Sequence, residues 1–99
     1  MEKTKEIKNI QRIINTHLRT LWKVELSDED RQLEYDLIKD AVHMLLKHYS
    51  DNKKKFILTP TNLEIHYAIY KVKDSFFVYL INNPWDSDIT ELYELLASI

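Results

Sequence analysis

The chain contains no glycine. Average usage of about 7% would place roughly seven in a chain of this length. Glycine is the residue that supplies positive φ and lets backbone come close to a ligand. Its absence removes the phosphate-binding P-loop, the dinucleotide fingerprint and the G-x-S-x-G nucleophile elbow. It also removes the usual glycine-containing type I′ hairpin turn. Whatever this chain does, it does without the glycine-rich loops on which many nucleotide and hydrolase sites are built.

Ninety-nine residues fit a single domain, 1–99, and leave no room for two. Apolar residues make up 44% and charged residues 30%, enough of the first for a core and too little net charge for disorder. With no cysteine there is no disulfide framework, thiolate metal site or cysteine nucleophile. The opening Met1-Glu2-Lys3-Thr4-Lys5-Glu6 leads into an amphipathic pattern and not a signal peptide. The longest apolar run, Phe76 to Ile81, falls far short of the roughly 20 residues that span a bilayer. A cytoplasmic protein with no membrane partner is expected.

Ile7, Ile10, Ile14, Leu18 and Leu21 recur at steps of three and four, which predicts a helix over residues 5–23. Ser27 followed by Asp28, Glu29 and Asp30 reads as a helix start, with the acids suited to the positive end of the helix dipole. That second helix is expected to reach about Tyr49. Its apolar residues cover an arc of roughly 200°, which suggests a central element. Three strands are expected next. Phe56-Ile57-Leu58 is bounded by Pro60. Leu63 to Val72 alternates, with Leu63, Ile65, Tyr67 and Ile69 on one face. Phe76 to Ile81 returns after a Lys73-Asp74-Ser75 turn. Asn82-Asn83-Pro84 breaks the pattern, and Asp86 or Ser87 caps a last helix with Ile89, Leu92, Tyr93, Leu96 and Ile99 inward. The expectation is a small α+β domain of order α-α-β-β-β-α, with a three-stranded antiparallel sheet packed on one face by helices.

Charge is sorted into blocks. Residues 1–24 carry net +4, residues 25–40 net −5, residues 41–73 net +4 and residues 74–99 net −5. On the first helix Lys5, Lys8, Arg12, Arg19 and Lys23 fall within roughly 60° of one another, opposite the Ile/Leu stripe. Such a row can follow a nucleic-acid backbone or simply solvate a helix. Lys53-Lys54-Lys55 would extend it. The acids Asp28, Glu29, Asp30 and Glu34 begin the second helix, and Asp86, Asp88, Glu91 and Glu94 begin the last. If these two starts share a side, they form an acidic surface for a basic partner. Trp85 beside them is either a hydrophobic staple, with Ile89 or Tyr93, or an interface anchor.

No catalytic, cofactor or metal motif emerges. His43 and His48 lie about 140° apart on a helix and cannot share a metal. On a strand, Glu64, His66 and Tyr70 would share one face and could move a proton, although an ordinary solvent face has the same composition. The expected function is therefore a non-enzymatic protein-binding module of the inhibitor, immunity or adaptor type, acting by charge complementarity. The alternative is nucleic-acid binding through the first helix. Self-association is also open, through the edge of a strand containing Phe56 or Phe76 or through the apolar face of the first helix.

Overall fold

Helix α1 (Glu2–Lys23) buries the stripe that its sequence displays, with Ile7, Ile10, Ile14, Leu18 and Leu21 all nearly solvent-free. This computed structural model describes residues 2–52 and 59–99, with side chains from Thr4 onward. After a short connection, Ser27 caps α2 (Asp28–Asn52), its Oγ accepting from the Asp30 amide at 3.2 Å. Helix α3 spans Pro60–Asn82 and α4 spans Ser87–Ala97.

There is no strand among the described residues, so the α+β expectation and its three-stranded sheet are overturned. The alternating segment Leu63 to Val72, the supposed turn Lys73-Asp74-Ser75 and the apolar run Phe76 to Ile81 are one continuous helix. The expected strand at Phe56 to Leu58 lies outside the described residues, as does the Lys53-Lys54-Lys55 triplet.

The reason for the miss lies in α3 itself. Its buried side carries Ile65, Ala68, Ile69, Val72, Phe76 and Tyr79, while Leu63, Tyr67, Tyr70, Phe77 and Ile81 stand at least half exposed on the other side. A helix that is apolar all round has no polar face to reveal the 3.6-residue period. The local start signal was nonetheless present. Thr59 is the N-cap, its Oγ1 accepting from the Asn62 amide at 3.1 Å, and Pro60 occupies the first turn, where its missing N–H costs nothing.

The packing is three helices with a fourth laid across two of them. Helix α1 packs on both α2 and α3, and α4 packs on α3 and α2 without reaching α1. Contacts fix the directions. Glu6 meets His48 and His17 meets Glu34, so α1 and α2 are antiparallel. Tyr49 meets His66 and Arg31 meets Tyr79, so α2 and α3 are antiparallel too. Helix α2 is central, but only part of its broad apolar arc is covered: Tyr35, Ile38, Ala41, Val42 and Leu45 are buried, while Leu33 and Met44 are exposed. It packs on helices where a sheet was expected. Of the routes to self-association seen in the sequence, the one through Phe56 lies outside the described residues, and the other two are not open as expected. Phe76 is fully buried within α3, and the apolar face of α1 is spent on α2 and α3.

Positive φ occurs at no described residue, the conformation for which glycine is the default choice. The α3–α4 connection shows how a turn is made without it. The Asn83 side chain and backbone amide both donate to the Tyr79 carbonyl, at 3.0 and 2.9 Å, closing α3. Three residues later Asp86 opens α4, its Oδ1 accepting from the Ile89 amide at 3.2 Å.

Candidate interaction surfaces

Asp86 is more than a cap. It is 1% exposed, and its second oxygen accepts hydrogen bonds from the Tyr35 and Tyr79 hydroxyls at 2.7 and 2.5 Å. Arg31 completes the group. Its Nε donates to the Tyr35 hydroxyl at 2.9 Å, its Nη2 donates to the Tyr79 hydroxyl at 3.2 Å, and the same Nη2 lies 3.5 Å from Asp86. Each tyrosine thus accepts from a cation and donates to an anion, an arrangement in which the bonds reinforce one another. Burial, and then the hydrogen bond to Asp86, push the Tyr35 hydroxyl up to about 12 and raise that of Tyr79 further. Burial opposes the Arg31 charge, but its bond to Tyr35 and the field of its neighbours outweigh this and raise its pKa. The cluster ties α2, α3 and α4 together and leaves no free group aimed at a ligand. It is a structural tie.

This alters the expected acidic surface. Asp86 is inside the molecule. Glu34 bonds His17 of α1, and Asp88 pairs with Lys39 at 2.9 Å. That pairing, with burial working against it, raises the Lys39 pKa. Asp28, Glu29 and Asp30, with Glu91 and Glu94, remain exposed. The starts of α2 and α4 do adjoin, as the Tyr35–Asp86 and Lys39–Asp88 bonds require, but Arg31 and Lys39 stand between them and dilute the negative field. Trp85 is not a staple. It is 62% exposed and lies over the Arg31 guanidinium at 4.7 Å, a cation–π contact at the molecular surface.

The basic row on α1 is present as the wheel places it. Lys5, Lys8, Arg12, Arg19 and Lys23 are all exposed, and none is in an ion pair among the described residues. Arg19 and Lys23 border an open groove of about 420 Å³ between α1 and α3, together with Trp22, Lys71, Asp74 and Val78. Trp22 meets the Tyr79 ring edge-on at 5.9 Å, and the Lys23 ammonium lies over the Trp22 ring, 4.9 Å from its centroid.

The expected proton-transfer trio does not form. With α3 helical, Glu64 and His66 point about 200° apart. His66 instead meets the Tyr49 ring edge-on at 5.7 Å. The other histidines have local partners: His43 the Lys39 carbonyl, His48 Glu6 and His17 Glu34. Among the described residues no three acidic or histidine side chains are grouped to hold a metal ion, and no helix is long and apolar enough to cross a membrane.

The surface that sequence reading missed is the outer face of α3. Leu63, Tyr67, Tyr70, Phe77, Val78 and Ile81 are 54, 54, 61, 50, 43 and 63% exposed, and they line up along one side of the helix. Isolated exposed apolar residues are ordinary, but this row, interrupted by Asp74, is more than isolated exposure. Tyr93 of α4 borders the row, its ring 6.1 Å from that of Phe77, and the two help to line a groove with Tyr70, Lys73 and Asp74. The available signal is a second apolar stripe at helical spacing, masked because alternate apolar residues in Leu63 to Ile69 also fit the period of a strand.

Comparison of the chain with protein-family models, with curated proteins and with solved structures finds no match.

Proposed function

We propose that this chain is a protein-interaction module of the inhibitor or adaptor type and not an enzyme, and that its docking surface is the outer face of α3. The partner it suits is a helix with its own apolar stripe, laid along Leu63, Tyr67, Tyr70, Phe77 and Ile81. The observation that carries the reading is this row of half-exposed aromatic and aliphatic side chains on a helix whose opposite side already fills the core. Tyrosine and phenylalanine supply large contact area at little cost in side-chain freedom, which suits a binding face. The acidic surface, with three of its members engaged inside the fold, contributes at most a charged rim.

Photo-crosslinking tests this. A photoreactive phenylalanine derivative at position 67 or 77 should trap protein in the native host cell, and one at Asp40 on α2 should not. Adducts no more abundant at positions 67 and 77 than at 40 would overturn the proposal.

The exposed, unpaired row of cations on α1 favours a second reading, nucleic-acid binding. It requires an affinity for duplex or single-stranded nucleic acid that falls steeply with salt, and a slope that becomes shallower when Arg12 and Arg19 are neutralised. Binding insensitive to either change would rule it out.

A further inference from the structure

The outer face of α3 has an internal order that goes beyond apolar character. Leu63, Tyr67, Tyr70, Asp74, Phe77 and Ile81 follow one another at steps of four, three, four, three and four. This is the a/d spacing of a coiled-coil seam. The residues that bury against the rest of the fold, Ile65, Ala68, Ile69, Val72, Phe76 and Tyr79, occupy the remaining positions of the same heptads. The helix therefore carries two separate faces, one used within the chain and one open.

The open seam is also palindromic about position 72. Leu63 mirrors Ile81, Tyr67 mirrors Phe77, and Tyr70 mirrors Asp74. Two antiparallel copies related by a two-fold axis at that position would place Leu63 opposite Ile81 and Tyr67 opposite Phe77. The one acid in the seam would face a tyrosine hydroxyl. Lys71 and Lys73 flank the seam on either side, and the same symmetry brings Lys71 of one copy to the level of Lys73 of the other, so these four cations lie at its solvated rim. Parallel pairing does the opposite. It stacks Asp74 on Asp74 in an apolar seam, a like-charge contact that discriminates against that orientation.

Resting on the reading of this face as a protein-docking surface, we propose that its partner is the α3 helix of a second copy, packed antiparallel about Val72 in a symmetric dimer. A two-fold contact of this kind needs a self-complementary patch, which the palindrome provides. Area supports it. Six side chains roughly half exposed offer about 100 Å² each, near 600 Å² per copy. A stable interface takes about 800 Å² per partner, and Tyr93, Lys71 and Lys73 beside the seam supply the remainder.

Sedimentation equilibrium across a wide concentration range, followed by cysteine cross-linking, tests the proposal. The wild-type chain should dimerise. Phe77→Glu should raise the dissociation constant by about 100-fold, because the symmetry applies each substitution twice, while its helical circular dichroism stays unchanged. The chain has no cysteine, so disulfide mapping has no background. A mixture of Tyr67→Cys and Phe77→Cys chains should form the mixed disulfide. Tyr67→Cys alone should not, since its two copies would lie about 15 Å apart along the axis, beyond the roughly 7 Å a disulfide tolerates. A Tyr67→Cys self-disulfide would show parallel pairing and overturn the proposal. A monomer at every concentration would overturn it too. If adducts at positions 67 and 77 then persisted at the mass of another protein, the docking surface would stand with a different occupant. If those adducts were also missing, both readings would fall.

Discussion

Replacing Asp86 should be among the most damaging single changes to this fold, and its cost can be worked from the contacts. Asp86→Ala removes the cap of α4, worth about 1 kcal/mol. It also strips the acceptor from the Tyr35 and Tyr79 hydroxyls and the counter-charge from Arg31. Breaking a buried charged pair by removing one partner costs roughly 3–5 kcal/mol, most of it the penalty for leaving the other groups unpaired. Because Arg31 keeps some contact with solvent and with Trp85, the lower end of that range applies, and the total comes to about 4 kcal/mol. Asp86→Asn keeps the cap, since asparagine is as good an N-cap as aspartate, and keeps a polar group facing the tyrosines. It loses the charge and should cost about 2 kcal/mol, as the loss of a charge-assisted hydrogen bond does. Urea unfolding followed by tryptophan fluorescence measures both. Trp22 contacts Tyr79 and Trp85 covers Arg31, so both probes report on the same region. A domain of this size has only about 5–15 kcal/mol in total, so a 4 kcal/mol loss is readily seen. If Asp86→Ala costs no more than the cap alone, or if the two variants are equally stable, the argument that the buried network ties the helices together is wrong.

Three further outcomes are expected. Burial and then donation to Asp86 push the Tyr35 hydroxyl up to about 12 and that of Tyr79 further, so the neutral hydroxyls stabilise the fold fully below the unfolded tyrosine value of about 10. That contribution should decline as pH rises above about 10, running out near 12 for Tyr35 and only at higher pH for Tyr79, at up to about 1.4 kcal/mol per pH unit for each tyrosine; a Tyr35→Phe/Tyr79→Phe double variant with an equally steep decline in chemical-denaturation midpoint would contradict this. At protein concentrations low enough for the chain to be monomeric, Phe76→Ala, at a fully buried site, should lower stability by about 3–5 kcal/mol in urea titration, whereas the same change at half-exposed Phe77 should cost under about 1 kcal/mol; comparable losses at both sites would mean that the two faces of α3 are wrongly assigned. Trp85→Ala should cost only about 0.5–1 kcal/mol in the same assay, the value of an exposed cation–π contact, and a loss of several kcal/mol would restore the staple that its sequence position suggests.

Among the described residues, three of the four helices are legible in the sequence alone. Helix α1 announces itself by a single apolar stripe, α2 by Ser27 and the acids that follow, and α4 by Asp86 and the spacing of Ile89, Leu92 and Leu96. In α1 amphipathic period and burial agree; in α2 Leu33 and Met44 stay exposed, and Ile99, expected inward with α4, lies past the end of that helix and is about half exposed. Helix α3 departs further. Leu63, Ile65, Tyr67 and Ile69 look like one face of a strand, yet Ile65 and Ile69 are buried while Leu63 and Tyr67 are exposed. The Thr59-Pro60 start was readable, and the apolar run that followed outweighed it.

What the residues settle by themselves is local: where caps form, where a stripe repeats, and that no turn can use a glycine. Asp86 was identifiable as a helix cap, because a cap acts on an amide three residues away. Its burial was not, because Tyr35 lies 51 residues off and meets it only after α2, α3 and α4 have packed. The same holds for the two faces of α3. Spacing can show that two apolar stripes exist, but only packing decides which is consumed by α1, α2 and α4 and which is left for a partner. Burial is a property of the assembled neighbours, and those neighbours are chosen by contacts between residues far apart in the chain.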